Sequence, residues 1–173
     1  MAVYYIEQSL LSAKVRTVIK DEKGKPVFLL VGSWGTRGDS ISIYRIDGEV
    51  LASAKQTAFS RKSRFDLFDH HEKVGSLSRM FSMNRDFYFI KKLHWLAMGD
   101  IKNQEYKIYY LNDKIMQMNK EVSVKGDFFR IEVFKEENAP LCICIAAVLD
   151  YWARKNNRVE EIFTKTAINV QLS

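Results

Sequence analysis

The chain has 173 residues, of which 47% are hydrophobic and 28% are charged, a balance typical of one folded domain spanning residues 1–173. Only two prolines and eight glycines are present, which excludes collagen-like and linker-like segments. The net charge of +6 leaves two interpretations open: it favours solubility, or it attracts a polyanion such as nucleic acid or an anionic membrane surface.

Short segments in which apolar and polar residues alternate follow one another through most of the chain. Turn signals separate them every ~8–12 residues, a spacing typical of a β-sandwich or a β-barrel. Aromatic residues, 13% of the chain, also favour strands. About a dozen strands are predicted: Val3–Gln8, Val15–Lys20, Val27–Ser33, Ile41–Ile46, Val50–Lys55, Arg64–Phe68, Lys73–Ser78, Phe87–Lys91, Leu96–Ile101, Glu105–Leu111, Ile115–Lys120 and Phe128–Phe134.

Three glycine–aspartate pairs stand near strand ends, at Gly38, Gly99 and Gly126. Glycine adopts a positive φ without steric cost, and the aspartate that follows can accept hydrogen bonds from nearby backbone N–H groups. We therefore interpret these three pairs as turn devices and not as catalytic carboxylates.

The only strong helix signal comes late in the chain. Residues Ala139–Leu149 (APLCICIAAVL) are all apolar, Asn138 is a good N-cap, and Pro140 falls in the first turn, where a missing N–H costs nothing. A helix that is apolar all round must be buried on all sides. Arg154 and Lys155 lie where this helix is expected to end, and the residues after Asn157 fit either a second helix or a last strand.

Cys142 and Cys144 lie within this apolar run, and two thiols do not make a zinc site. As buried free cysteines they suit a reducing compartment. The first residues lack the pattern of a signal peptide, and an eleven-residue apolar run is shorter than the ~20 residues of a transmembrane helix. We therefore expect a cytoplasmic protein with no transmembrane span.

Three segments, in this order, resemble the tubby C-terminal-like, LURP-one-related family. They are Gly38–Gln56 (GDSISIYRIDGEVLASAKQ), Trp95–Ile101 (WLAMGDI) followed by EYKIY, and Gly126–Val133 (GDFFRIEV) leading into the apolar run. The resemblance implies a mainly β fold: a closed, twelve-stranded antiparallel barrel around a buried hydrophobic C-terminal helix. Composition alone does not separate this barrel from a β-sandwich with a capping helix.

For function the resemblance implies less. Tubby domains bind phosphoinositide headgroups through basic residues, and many LURP-one-related members have no assigned activity. The lipid-binding residues of tubby domains do not align one by one with this chain, so none is carried over.

The best candidate for anion binding is a basic segment that runs from Lys55 to Arg64. Arginine and lysine side chains there could hold a phosphate group or an anionic lipid headgroup. The alternative interpretation is a solvated charged loop. The candidate anion- or lipid-binding residues are Lys55, Arg61, Lys62, Arg64 and, from the preceding glycine-rich bend, Arg37.

Patterns of catalysis and of other binding classes are missing. No nucleophile elbow, zinc-protease motif or paired cysteine and histidine occurs, and His70, His71 and Glu72 lack a third metal ligand at a suitable spacing. No nucleic-acid recognition module is present. We expect a non-enzymatic binding module, without cofactor or metal, for an anionic ligand such as a phospholipid headgroup at a membrane surface. The alternative is a scaffold that binds a protein partner.

Overall fold

The structure, a computed structural model, describes residues 1–7, 14–34, 37–58, 64–80, 86–100, 103–124 and 126–154. Within these ranges twelve strands form. They are β1 Ala2–Glu7, β2 Lys14–Asp21, β3 Pro26–Ser33, β4 Ser40–Arg45, β5 Val50–Ala58, β6 Arg64–Asp69, β7 Glu72–Met80, β8 Asp86–Lys91, β9 Trp95–Asp100, β10 Glu105–Tyr110, β11 Asp113–Ser123 and β12 Gly126–Val133.

Every strand pairs antiparallel with its neighbours in the sequence, and β1 pairs with β12 to close the sheet into a barrel. The β1–β12 ladder is long, from Ala2 opposite Val133 to Glu7 opposite Phe128. The β1–β2 ladder is short, with only Tyr4 opposite Asp21 and Tyr5 opposite Lys20. Closure confirms the fold class expected from the family resemblance, and the β-sandwich alternative is wrong.

One helix fills the barrel. A 3-10 turn, Glu136–Asn138, leads from β12 into residues 139–154, which are α-helical and which we call α1. The apolar side chains of α1 are buried on every side, with Ile143, Ile145 and Leu149 completely inaccessible. Burying each such side chain contributes ~1.5–3 kcal/mol. The prediction that the late apolar run is the core of the molecule is confirmed.

The barrel presents alternate residues of each strand to this helix. On β4 and β6, for example, Ile41, Ile43, Phe65 and Leu67 are completely buried, while the residues between them are partly exposed. This follows from the two-residue period of a strand. The core therefore has two layers, the inner face of the sheet and the full circumference of α1.

The glycine–aspartate pairs behave differently from one another. Gly38 and Gly126 have φ angles of 95° and 119°, as predicted. Gly99 does not have a positive φ; a Cβ atom there would lie 2.2 Å from Cδ1 of Tyr106. The prediction is wrong at Gly99, where glycine is needed so that the Tyr106 ring can pack directly over the backbone.

The two ends of the barrel differ in what surrounds the helix. At one end Trp34 stacks on Tyr151 and Gln104 contacts Asp150. We call this end the C-terminal rim; each odd-numbered strand ends there and the next even-numbered strand begins there. At the other end, the N-terminal rim, the hairpin turns after β2 and β4 surround the start of α1.

Candidate functional site

Two of the basic residues singled out in the sequence, Arg37 and Lys55, lie on neighbouring segments near the C-terminal rim. The backbone joins their segments, since the N–H of Gly38 donates to the carbonyl of Gln56 and the N–H of Gln56 donates to the carbonyl of Asp39, both at 2.8 Å. Arg37 and Lys55 are exposed, and neither forms a salt bridge within the described residues. Lys55 lies opposite Ser40 on β4 and opposite Asp66 on β6, but its ammonium is not within salt-bridge distance of that carboxylate. Both cations are therefore without a salt-bridge partner among the described residues and can meet an anionic ligand.

Arg64 occupies a different setting on the outer face of β6. Its Nη2 donates to Oγ of Ser76 at 2.9 Å, and its Nε lies 3.5 Å from Oδ1 of Asp66. Asp66 also accepts from Lys73 at 2.5 Å and from Ser76 at 2.8 Å. The guanidinium of Arg64 is thus partly neutralised, which makes it a weaker anion ligand than Arg37 or Lys55.

The same network sets the ionisation of Asp66. Partial burial raises the pKa of this carboxyl, but the hydrogen bonds from Lys73 and Ser76 and the charges of Lys73 and Arg64 outweigh burial and lower it. Asp66 is therefore a carboxylate at neutral pH. Arg61 and Lys62, the remaining predicted candidates, lie outside the described residues, between the end of β5 and the start of β6.

Aliphatic side chains project from the same rim. Val122 at the end of β11 is 76% exposed, Val124 in the turn that follows is fully exposed, and Met80 at the end of β7 is 52% exposed. Sequence reasoning missed them, because the predicted strand Ile115–Lys120 ended before Val122, whereas β11 extends to Ser123. The valines belong to the β11–β12 hairpin and share this rim, but not a pair of neighbouring strands, with Arg37 and Lys55. Exposed apolar and basic side chains on one rim are a combination found on surfaces that contact membranes.

Behind the rim an aromatic cluster packs the end of α1. Trp34 stacks on Tyr151 with ring centroids 5.3 Å apart, and Tyr88 stacks on Trp152 at 5.0 Å. Phe65 lies edge-on to both Trp34 and Trp152. Such contacts contribute ~0.5–1.5 kcal/mol per pair beyond area burial, so this end of the core is firmly packed.

Gln56 is a polar residue buried at this aromatic end. It is fully buried, and neither atom of its side-chain amide meets hydrogen-bond geometry with a partner. Interaction with this amide lowers the pKa of the Tyr151 hydroxyl. Burial raises the same pKa by more, so the net shift is upward. A buried amide without full hydrogen bonding is a cost to folding.

Asp150 is a buried carboxylate that the sequence pattern did not single out. It is completely inaccessible, and its Oδ1 accepts from Nε2 of Gln104 at 3.2 Å, while its Oδ2 lies 2.8 Å from Nη2 of Arg154. Burial raises the pKa of Asp150 to about 6, although Arg154 and Lys120 act in the opposite direction. The only sequence signal was an arginine four positions after the aspartate, the spacing of a helical ion pair.

The cysteines and the possible metal ligands are two further sets of side chains that could take part in catalysis or binding. Cys142 and Cys144 are free and buried, and burial raises the pKa of both thiols, which disfavours the reactive thiolate. In the described ranges no three histidine, cysteine, aspartate or glutamate side chains converge as metal ligands do. Nor does any helix in those ranges have the length and apolar character of a transmembrane span.

The fold defines the structural class of the protein: a twelve-stranded antiparallel barrel that is closed by β1 and β12 and has helix α1 as its core. The family model of the LURP-one-related proteins matches residues 2–150, and the chain belongs to this family. The resemblance noted in the sequence is thereby confirmed.

Two individual proteins are similar over most of their length. The uncharacterized protein YxjI of Bacillus subtilis (strain 168) is 24% identical over 163 residues, which cover 94% of this chain and all of that protein. A solved X-ray structure of a protein from Arabidopsis thaliana matches with a TM-score of 0.59 at 14% identity, covering 86% of this chain and 89% of that one. At this identity the structural match shows the fold alone.

Proposed function

We propose that this protein is a non-enzymatic binding module whose C-terminal rim contacts an anionic ligand, and that the ligand is a phospholipid headgroup at a membrane surface. The observation that carries the proposal is that Arg37 and Lys55 lie exposed on segments joined by backbone hydrogen bonds near the rim, and that neither forms a salt bridge within the described residues. The exposed Val122 and Val124 on the same rim favour a membrane surface over a free phosphorylated molecule.

The expected affinity is modest. A basic residue near an anionic leaflet contributes ~1 kcal/mol, so Arg37 and Lys55 together supply ~2 kcal/mol. Arg61 and Lys62 lie between the two strands that flank this part of the rim, and their charges would add to it. Partial burial of the two valines adds an apolar contribution of ~25 cal/mol for each Å2 removed from water. Binding should therefore be reversible and sensitive to salt.

The test is co-sedimentation with vesicles of phosphatidylglycerol and phosphatidylcholine, compared with vesicles of phosphatidylcholine alone. The protein is expected to pellet with the anionic vesicles at an ionic strength of ~0.1 M and to be released at ~1 M, where the Debye length falls from ~10 Å to ~3 Å. The double variant Arg37→Ala/Lys55→Ala should lose most of this binding.

A matched control removes the same charge from the opposite rim. Lys25 and Lys135 are exposed and form no salt bridge within the described residues, so Lys25→Ala/Lys135→Ala should bind like the unaltered protein. Equal loss in the two double variants, or pelleting that does not respond to salt, would refute the proposal.

Two further outcomes separate related ligands. Competition by free inositol phosphate would assign the site to a soluble phosphorylated molecule, whereas loss of vesicle binding in Val122→Ser/Val124→Ser would assign it to the membrane. Stoichiometric recovery of a polypeptide by the same rim, independent of lipid, would support the alternative of a scaffold protein.

A further inference from the structure

The N-terminal rim contains a pocket of about 680 Å3 that opens where α1 begins. Its walls come from β1, the turn after β2, the start of β3, the ends of β4 and β6, and the 3-10 turn. The volume lies in the ~300–1,000 Å3 range of small-molecule sites. Arg37, Lys55 and Arg64, the predicted anion-binding residues that the structure describes, do not line this pocket, which lies at the opposite rim.

The pocket is acidic although the whole chain is basic. Among its described lining residues there are five carboxylates, against the cationic side chains of Lys23 and Arg45, the imidazole of His70 and the α-amino group of Met1. The charge of Arg45 is already balanced, because it forms salt bridges with Asp47 and Glu49. The five carboxylates are Asp21, Glu22, Asp69, Glu136 and Glu137.

Two of these carboxylates have no partner of their own. Glu136 and Glu137 are exposed, and neither accepts a side-chain hydrogen bond nor forms a salt bridge within the described residues. They precede the first turn of α1, where acidic side chains also stabilise the positive end of the helix dipole. That stabilisation leaves their outer oxygens free to accept hydrogen bonds from a ligand.

Tyr4 provides an observation independent of the carboxylates. It is 5% exposed and lines the pocket, and its ring packs against Phe28 with centroids 5.5 Å apart. Its hydroxyl forms no hydrogen bond with a described residue. Tyr4 lies directly opposite Asp21 in the β1–β2 ladder. Burial, followed by the charges of Glu136 and Asp21, raises the pKa of Tyr4 to about 12. A mostly buried tyrosine whose hydroxyl is left open among carboxylates is suited to a ligand that donates hydrogen bonds.

These features discriminate among ligand classes. A phosphorylated ligand would face repulsion from the carboxylates, and a lone metal ion would need three converging ligands, a group that the described residues do not contain. An ammonium or guanidinium group can donate to Glu136, Glu137 and the Tyr4 hydroxyl while its apolar chain lies against Tyr4 and Phe28, whose faces attract cations. We infer that this pocket binds a small organic cation, with an ammonium or guanidinium group on a short apolar chain.

The test is calorimetric titration of the full chain with agmatine, which carries both an ammonium and a guanidinium on a short methylene chain. Saturable binding is expected with agmatine and not with hexanoate or inorganic phosphate. Glu136→Gln and Glu137→Gln should each weaken binding about tenfold, the usual effect of losing one charge-assisted hydrogen bond. Tyr4→Phe removes only the open hydroxyl and should weaken binding several-fold.

Glu105→Gln is the matched control, because Glu105 is an exposed carboxylate at the opposite rim. It should bind agmatine like the unaltered protein. Thermal unfolding without ligand verifies that each variant is folded. Absence of saturable binding, phosphate binding in place of agmatine, or unchanged affinity in Glu136→Gln/Glu137→Gln would overturn the inference. These residues lie apart from the C-terminal rim, so agmatine binding and vesicle binding succeed or fail separately.

Discussion

Replacing Asp150 by asparagine should make the protein more stable at neutral and alkaline pH. The carboxylate is completely buried, and its pKa is raised from 3.8 to about 6, chiefly by burial. A shift of ~2 pKa units corresponds to ~3 kcal/mol between the protonated and ionised forms. Asparagine keeps an oxygen that accepts from Gln104 and removes the buried charge.

The direction of the pH dependence follows from the raised pKa. The folded protein holds the Asp150 proton more tightly than the unfolded chain does, so the stabilising contribution of this group is complete below pH ~4. It is lost as the pH rises through ~6, where the carboxyl ionises inside the barrel. Arg154, 2.8 Å away, offsets part of the cost but does not restore the pKa to its ordinary value.

The assay is urea denaturation of both proteins at several pH values, with the free energy of unfolding extrapolated to water. The difference in unfolding free energy, Asp150→Asn minus the unaltered protein, should increase by ~3 kcal/mol between pH ~4 and pH ~8. Taking the difference cancels all other titrating groups that the substitution does not touch.

Asp66→Asn is the matched control, because the pH dependence of its effect on the unfolding free energy should have the opposite sign. The pKa of Asp66 is lowered, so its contribution to stability is present above its ordinary pKa and is lost as the pH falls. The advantage of the unaltered protein over Asp66→Asn should therefore shrink in acid. A difference for Asp150→Asn that stays flat with pH, or that changes in the same direction as for Asp66→Asn, would refute the reasoning.

Three further substitutions test the core. Ile145→Asp should abolish cooperative unfolding, because an unpaired buried charge costs several kcal/mol against a total stability of ~5–15 kcal/mol. If circular dichroism showed that this variant still unfolds cooperatively, the helix-filled barrel would be contradicted. Gln56→Met should raise the unfolding free energy by ~1–3 kcal/mol, because it removes an incompletely bonded buried amide, and a loss of stability in the same denaturation assay would count against that view. Gly99→Ala should lower the melting temperature far more than Gly24→Ala. A Cβ atom at Gly99 would lie 2.2 Å from the Tyr106 ring, whereas a Cβ atom at Gly24 would meet no atom within 4 Å and would add only the cost of a positive φ. Equal shifts in melting temperature would refute this prediction.

Much of the fold could be predicted, because its determinants are local or periodic. Two-residue alternation located the strands to within a few positions, and the apolar run located the helix. Asn138, predicted as the N-cap, is instead the last residue of the 3-10 turn, whose N-cap is Lys135. Closure of the sheet was not local: it depends on pairing Ala2 with Val133, and only the family resemblance supplied it. Gly99 was misread for a related reason, since its role depends on a ring from the neighbouring strand.

The sites were harder to predict, because they combine residues from separate segments. The segments that carry Arg37 and Lys55 are joined by two backbone hydrogen bonds, whereas Arg64 pairs with Asp66 on the outer face of the barrel. The acidic pocket was missed entirely, since its carboxylates come from distant turns and Tyr4 resembled any other inward strand residue.

The order of elements along the chain has a consequence for biosynthesis. The strand that closes the sheet, β12, is translated last of the twelve, and the helix that fills the sheet is translated after it. In a nascent chain the apolar inner face of the sheet therefore stays uncovered until β12 and α1 have emerged from the ribosome. Folding should accordingly be slow and dependent on protection from aggregation, because the closing contacts join β1 to β12, more than a hundred residues apart in the sequence.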